Sequence, residues 1–175
     1  MKDAVRVRLA AAKDGAAVAA IYNQGMAERG ATFETEPRTA ADMEKRIGQA
    51  PDRFPVLVAE DAGRILGWAS IGAYRPRECY AGIGEFSVYV DAAARGRGVG
   101  RALLGQLVPE AAARGYWKLV SRVFPFNSAS RGLCRSLGFR EVGTYEKHGR
   151  LDGRWLDVVV VERLIPENQV DDVQP

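Results

Sequence analysis

Histidine occurs once in these 175 residues, at His148, and cysteine twice, at Cys79 and Cys134. That is too few ligands for a Cys/His zinc site and too few thiols for a disulfide framework, so no metal is expected. Long apolar runs are missing as well. No stretch approaches the ~18 residues of a membrane span, and the opening MKDAVRVRLA lacks the apolar segment of a signal peptide. Charge of one sign is scarce: 25 basic residues stand against 22 acidic, a net charge of +3, with the signs interleaved along most of the chain. Such a balance does not by itself imply a nucleic-acid partner. No Gly-Lys-Ser/Thr is present, which excludes a Walker phosphate loop. These absences lead to the expectation of a reduced, soluble, cytoplasmic protein.

What is there is ordinary for a globular fold. Hydrophobic residues make up 47% and charged residues 27%, and a chain of this length can bury roughly two-thirds of its unfolded surface. One domain over residues 1–166 is expected, followed by a polar tail, 167–175, that frays. Residues 5–9 alternate as a half-buried strand does, and Asp14 can cap a helix from about Ala16 to Met26. GATFETEP (30–37) reads as a loop, and Thr39-Ala-Ala-Asp42 as a capping-box start to a helix ending near Gln49. Apolar runs at Pro55–Glu60 and Ile65–Tyr74 flank a hairpin signal, Asp61-Ala-Gly-Arg64. After the polar loop RPREC (75–79), Ile83–Val90 predicts a strand with Glu85, Ser87 and Tyr89 on one face and Phe86, Val88 and Val90 on the other. The spacing of Val99, Leu103, Leu107 and Ala111 predicts a helix over 98–114, bent or broken at Pro109. A strand over 118–124, a helix over 128–137 capped by Gly138, and strands over about 139–146 and 154–164 complete a mixed α/β sheet. Val158–Val161 is consistent with a strand buried on both faces.

The strongest local chemistry is Arg95-Gly-Arg-Gly-Val-Gly100-Arg101, placed after a strand and opening a helix. Glycines let a backbone approach a ligand closely, the free amides of a helix N-terminus bind pyrophosphate, and arginines add charge-assisted contacts. A Rossmann fingerprint competes, but its glycines are spaced G-x-G-x-x-G, whereas here they fall at 96, 98 and 100. A glycine-rich turn with solvated arginines is the plain alternative.

That segment resembles the Arg/Gln-x-x-Gly-x-Gly/Ala motif of the GNAT family of N-acetyltransferases, which bind acetyl-coenzyme A. The resemblance extends to the strand Glu85–Val90 before the loop and to the segment Asn127-x-x-Ser-x-x-Leu-Cys-x-x-Leu-Gly-Phe139 after it. Within the family the chain is similar to the phosphinothricin acetyltransferase group, through Ile21-Tyr-Asn23, Ala31-Thr-Phe-Glu34, Tyr80 before Glu85, Ser87–Val90 and Gly153-Arg-Trp-Leu-Asp157. Trp117-Lys-Leu119 and Val123-Phe-Pro125 further resemble members linked to arsinothricin. The implied fold is a central, mostly antiparallel twisted sheet with four helices, and the implied assembly is a homodimer with the C-terminal strands near the partner.

The resemblance implies roles for particular residues. Val88, Tyr89 and Val90 would pair with the pantetheine arm. Arg95, Gly96, Arg97, Gly98, Val99, Gly100 and Arg101 would hold the pyrophosphate, and Asn127 and Ser130 would touch the arm or the nucleotide. Asn127 also suits a helix N-cap. Glu85 would take the proton from the acceptor ammonium, in apolar surroundings where desolvation raises a carboxylate's pKa, and the amide of Val88 would meet the oxyanion. Cys134 stands where many family members offer a tyrosine to the departing thiolate. It is either a proton donor, a small buried hydrophobe, or an acyl carrier. Phe33, Glu34, Arg75, Arg77 and Tyr80 would line the acceptor site, the arginines facing a carboxylate, phosphinate or arsinate. The implied reaction is direct acetyl transfer to the α-amine of a small amino-acid analogue of the phosphinothricin, arsinothricin or methionine sulfoximine/sulfone type. Other amine or protein acceptors, and a coenzyme A-binding module without catalysis, are the alternatives. His148 is expected at the surface near the last hairpin.

Overall fold

The computed structural model describes residues 5–171. Seven strands form one sheet: β1 (Arg6–Leu9), β2 (Val56–Asp61), β3 (Arg64–Ala73), β4 (Ile83–Val90), β5 (Lys118–Val123), β6 (Arg140–Leu151) and β7 (Arg154–Leu164). Their spatial order is β1-β2-β3-β4-β5-β7-β6. Every neighbouring pair is antiparallel except β4–β5. Among the described residues four α-helices accompany the sheet: α1 (Gly15–Ala27), α2 (Ala40–Gly48), α3 (Val99–Ala113) and α4 (Ser128–Ser136). The mixed α/β class expected from the sequence is the fold observed.

Both faces of the sheet are covered, which explains why β2 is apolar along most of its length. Leu57, Ala59, Ala69, Ile71 and Phe86 pack with Leu103, Leu104, Leu107 and Ala111 of α3 and with Cys134 of α4. On the opposite face Val56, Val58 and Trp68 pack with Val18, Ile21 and Tyr22 of α1 and Met43 and Ile47 of α2, with Tyr89 against them. The two-faced reading of β4 is therefore observed. A third cluster, Phe124, Leu151 and Val158 with Phe33 beside them, joins the end of β5 to the β6–β7 hairpin.

Several local expectations are corrected. Asp14 makes no side-chain cap on α1; its carboxylate accepts the N–H of Ala11 and pairs with Arg8. Helix α3 runs through Pro109 as one element. Leu103, Leu104, Leu107 and Ala111 are fully buried along it, so tertiary packing outweighs the one backbone bond that proline removes. Strand β6 continues to Leu151 rather than stopping near 146, and it carries His148 within it. The tail is docked as far as Gln169: Asn168 donates to the carbonyls of Ala112 and Tyr116, and Gln169 to that of Trp117. Residues 172–175 of the expected frayed tail, and residues 1–4, lie outside the described residues. Among the described residues no helix is long and apolar enough to cross a membrane, and no group of three His, Cys, Asp or Glu could hold a metal ion.

Candidate active site

The parallel pair β4–β5 is registered over only three positions, Ile83 with Lys118, Gly84 with Leu119 and Glu85 with Val120. At the end of that ladder the hydroxyl of Ser121 donates to the carbonyl of Phe86 (2.9 Å). The carbonyl of Val90 is reached instead by Nε of Arg95 (3.3 Å). Residues 86 and 90 thus turn their backbone groups away from β3, and by the period of two Val88 does the same. A cleft of about 800 Å³ opens along this split, lined by β4 and β5 residues, by α2, by the 31–34 loop, by α4 and by the β6–β7 hairpin.

Tyr89 departs from its expected role. The same alternation directs its backbone to β3, where it is registered with Trp68, so it offers no free groups to a pantetheine arm. Its ring stacks on Trp68 and meets Tyr22 edge-on, and burial pushes its phenol well above the ordinary range.

Just past Val90 the chain makes the turn that starts α3. Gly96 (φ +73°) and Gly98 (φ +82°) adopt the left-handed conformation, with Gly98 the residue before the first helical turn. The three arginines are exposed and held by weak surface contacts: Arg95 to Glu28 (2.8 Å), Arg97 to Asp61 (3.1 Å) and Arg101 to the hydroxyl of Ser136 (3.1 Å). Val99 is buried, and only its backbone belongs to the turn's surface. The Asn127 carbonyl oxygen caps α4 by accepting the N–H of Ser130 (3.1 Å), while its amide donates to the carbonyl of Gly30. Asn127 and Ser130 both line the cleft.

Glu85 lies where β4 and β5 begin to separate, and it also lines the cleft. Its expected apolar surroundings are not found: Arg122 donates to Oε1 at 2.6 Å, and both side chains remain partly open to water. Arg122 was within reach of sequence reasoning, because a strand–helix–strand crossover places β5 beside β4. Cys134 is buried, lines the same cleft, and has its thiol pushed up to about 11 by burial.

Phe33 and Glu34 reach the cleft as expected. The Phe33 ring meets Phe124 edge-on at 4.9 Å, and Glu34 pairs with Arg38 at 3.1 Å. Arg75, Arg77 and Tyr80 are not brought to it. The last β3–β4 pair is Ala73 with Gly84, so their loop hangs beyond the sheet. There Arg75 lies over the ring of Tyr74, which in turn meets Tyr80 edge-on. The cations that do line the cleft are Arg38, Lys45, Arg46 and Arg122. Arg46 carried a legible signal: it follows Met43 by three positions on α2, on the side that Met43 and Ile47 bury. His148 is exposed, as expected, but it also lines the cleft and stacks on Tyr145.

Comparison with known proteins agrees with this geometry. The model of the Acetyltransferase (GNAT) family matches residues 18–139. An L-methionine sulfoximine/L-methionine sulfone acetyltransferase of Pseudomonas paraeruginosa is 37% identical over 89% of this chain and 92% of its own length. A ribosomal-protein-alanine N-acetyltransferase from Brucella melitensis superposes with a TM-score of 0.88 at 37% identity, covering 91% of this chain and 99% of that one. A phosphinothricin acetyltransferase from Sinorhizobium meliloti, solved with acetyl-coenzyme A bound, superposes with a TM-score of 0.86 at 32% identity, covering 94% and 89%. With a family match over most of its length and a cleft at a split parallel pair, this chain belongs to the GNAT family and is an N-acetyltransferase.

Proposed function

We propose that the chain transfers the acetyl group of acetyl-coenzyme A directly to the α-amine of a small amino-acid analogue of the phosphinothricin, arsinothricin or methionine sulfoximine/sulfone type. The observation that carries this reading is the cleft that follows the open edge of β4, with the 95–101 turn just past one end of that strand and Glu85 near the other. The turn fits a pyrophosphate, since Gly96 and Gly98 leave open space and three arginines stand beside the first amides of α3. The outward backbone groups of Val88 and Val90 fit the amides of a pantetheine arm, and Asn127 and Ser130 its far wall.

In this reading Glu85 accepts the proton that the acceptor ammonium must lose before its nitrogen attacks the thioester carbon. The N–H of Val88 donates to the carbonyl oxygen as negative charge collects there. The carbon–sulfur bond then breaks and the thiolate takes up a proton. Cys134, held as a thiol by burial, supplies almost no thiolate to attack a thioester itself. That favours transfer within a ternary complex over an acetyl-cysteine intermediate, and it favours Cys134 as part of the wall. Phe33 and Glu34 belong to the acceptor end; Arg75, Arg77 and Tyr80 lie outside the cleft lining.

The same reading includes a homodimer and a cytoplasmic setting. Strand β6 is an exposed edge, and Val142, Tyr145 and Trp155 are apolar surface around it, which supports burial against a second copy. Two free thiols suit a reducing compartment. A protein acceptor is the second reading, favoured by the likeness to the ribosomal-protein-alanine enzyme. Thiol release from acetyl-coenzyme A, measured with phosphinothricin, arsinothricin, methionine sulfoximine, methionine sulfone, common amino acids, spermidine, kanamycin and an alanine-initiated peptide, separates these. Turnover confined to the acidic amino-acid analogues supports the proposal; turnover of the peptide alone replaces it.

A further inference from the structure

Arg46 enters the acceptor end of the cleft from α2, and no carboxylate meets it. Its Nη2 donates a 2.8 Å hydrogen bond to the hydroxyl of Ser70, a fully buried residue of β3. The same nitrogen lies 3.9 Å from where a Cβ would stand on Gly72. Gly72 is registered with Glu85 and Ser70 with Ser87, so the guanidinium lies over β3 about one strand spacing, ~4.8 Å, from the strand that carries Glu85. The cleft's acidic side chains are already engaged. Glu34 pairs with Arg38, Glu85 with Arg122, and the Asp42 carboxylate accepts the N–H and hydroxyl of Thr39. Among the described residues Arg46 has no ion-pair partner and a single hydrogen bond, although a guanidinium has several donors to satisfy.

A cation held against the sheet on one side has lost part of its hydration without gaining a counter-charge. Arg46 is exposed to the water of the cleft, and its guanidinium rests against β3 through the part-buried bond to Ser70. Burial lowers its pKa, as does the nearby charge of Arg38, while the phenols of Tyr22 and Tyr89 work in the other direction. Lys45 and Arg38 line the same region and add to a positive local potential. A site of this kind is suited to an anion. The coenzyme's phosphates are not that anion. The 95–101 turn follows Val90, whose partner Gly67 lies five residues from Gly72 along β3, roughly 17 Å away.

We propose that Arg46 anchors the α-carboxylate of the acceptor and so sets the α-amine against Glu85. In an α-amino acid the two groups hang from one carbon, which matches a cation and a base on adjacent strands. The planar fork of arginine suits a carboxylate better than the point charge of lysine does. The proposal rests on the amino-acid acetyltransferase reading and names its specificity-determining residue.

The test compares L-methionine sulfone with its carboxamide, which keeps the amine and removes the negative charge. Binding to the protein saturated with coenzyme A is followed by tryptophan fluorescence, since Trp68 lines the same cleft, and turnover is measured in parallel. The native chain should bind the acid about ten- to a hundredfold more tightly than the carboxamide. Arg46→Met should abolish that preference through the acid alone, Arg46→Lys should keep part of it, and neither should lower the thermal midpoint. An acid-to-carboxamide ratio unchanged by Arg46→Met overturns the anchor, as does an equal loss of both ligands with a lowered midpoint. Acid-selective binding without turnover keeps the anchor and overturns the acetylation of amino acids. Turnover of both compounds without preference keeps acetyl transfer and overturns the anchor. Absence of both binding and turnover overturns the two together.

Discussion

Arg122 of β5, two residues beyond Val120, donates a 2.6 Å hydrogen bond to Glu85 of β4, which with Val120 forms the last registered pair of the parallel ladder. The contact spans the point where the strands part, so the carboxylate proposed as the base is held at the mouth of the split. Glu85 is thereby oriented without being sealed from water, and an incoming ammonium can exchange for the guanidinium. Glu85→Gln should lower kcat by about a hundred- to ten-thousandfold, the usual range for a positioned base. A partly exposed ion pair contributes only ~0–1 kcal/mol to stability, so the thermal midpoint and the affinity for coenzyme A should hardly change. A small effect on kcat, measured by thiol release, would place the base elsewhere.

Burial raises the Cys134 thiol from its ordinary 9 to about 11, and this has a thermodynamic consequence. A folded-state pKa above the unfolded value stabilises the protein fully below pH ~9, and the contribution is lost as pH rises through ~11. Two units correspond to at most ~3 kcal/mol. Denaturant midpoints at pH 8 and pH 11 should therefore diverge more in the parent than in Cys134→Ala. At pH 7.5 iodoacetamide should modify the exposed Cys79 long before Cys134. Double-reciprocal plots should intersect; parallel lines would restore the acetyl-cysteine intermediate.

The sequence made β4 legible because it alternates in a way only a strand with two different neighbours requires. Phe86 and Val88 belong to the α3 side, and Tyr89 to the α1–α2 side. The 95–101 turn was legible because its glycines sit between a strand and a helix. Strand β6 was half missed because Glu146-Lys-His-Gly-Arg150 has no apolar face to alternate. The stretch is largely exposed, the register with β7 slips between Tyr145 and Gly149 with Lys147 at φ +46°, and pairing resumes only at Gly149, Arg150 and Leu151. The proposed acceptor end was legible only in part. Arg75 and Arg77 are near Glu85 in sequence but lie past the final β3–β4 pair, whereas Arg46 and Arg122 are distant in sequence and arrive through topology.

The arginines of the turn exchange surface partners for a ligand in the proposed function, and their partners make that exchange inexpensive. Arg95 and Arg97 hold Glu28 and Asp61 while remaining about half exposed, an arrangement worth little to folding. Arg95→Gln, Arg97→Gln and Arg101→Gln should each raise the KM for acetyl-coenzyme A several-fold while leaving the unfolding free energy within about 0.5 kcal/mol of the parent. The increase should shrink as salt rises, because screening weakens the native contact first. Gly98→Ala should act differently: at φ +82° an added Cβ strains the turn by ~1–2 kcal/mol. Both stability and KM should then suffer.

Gly149 offers a way to move the proposed acceptor wall without touching a charged group. A Cβ at this position of β6 would stand 2.7 Å from the Phe33 ring, which is itself braced edge-on against Phe124. Gly149→Ala must therefore displace Phe33 or the hairpin, an overpacking that costs about 1–3 kcal/mol. The turn at 95–101 and the outward backbone of Val88 and Val90 are not part of that contact. The KM for the acceptor should rise about tenfold while the KM for acetyl-coenzyme A stays constant. Phe33→Ala in the same background should relieve the clash and recover the lost stability in part, but not the acceptor affinity, since the wall itself is then missing. Equal changes in both KM values would mean that Phe33 supports the whole cleft rather than its acceptor end.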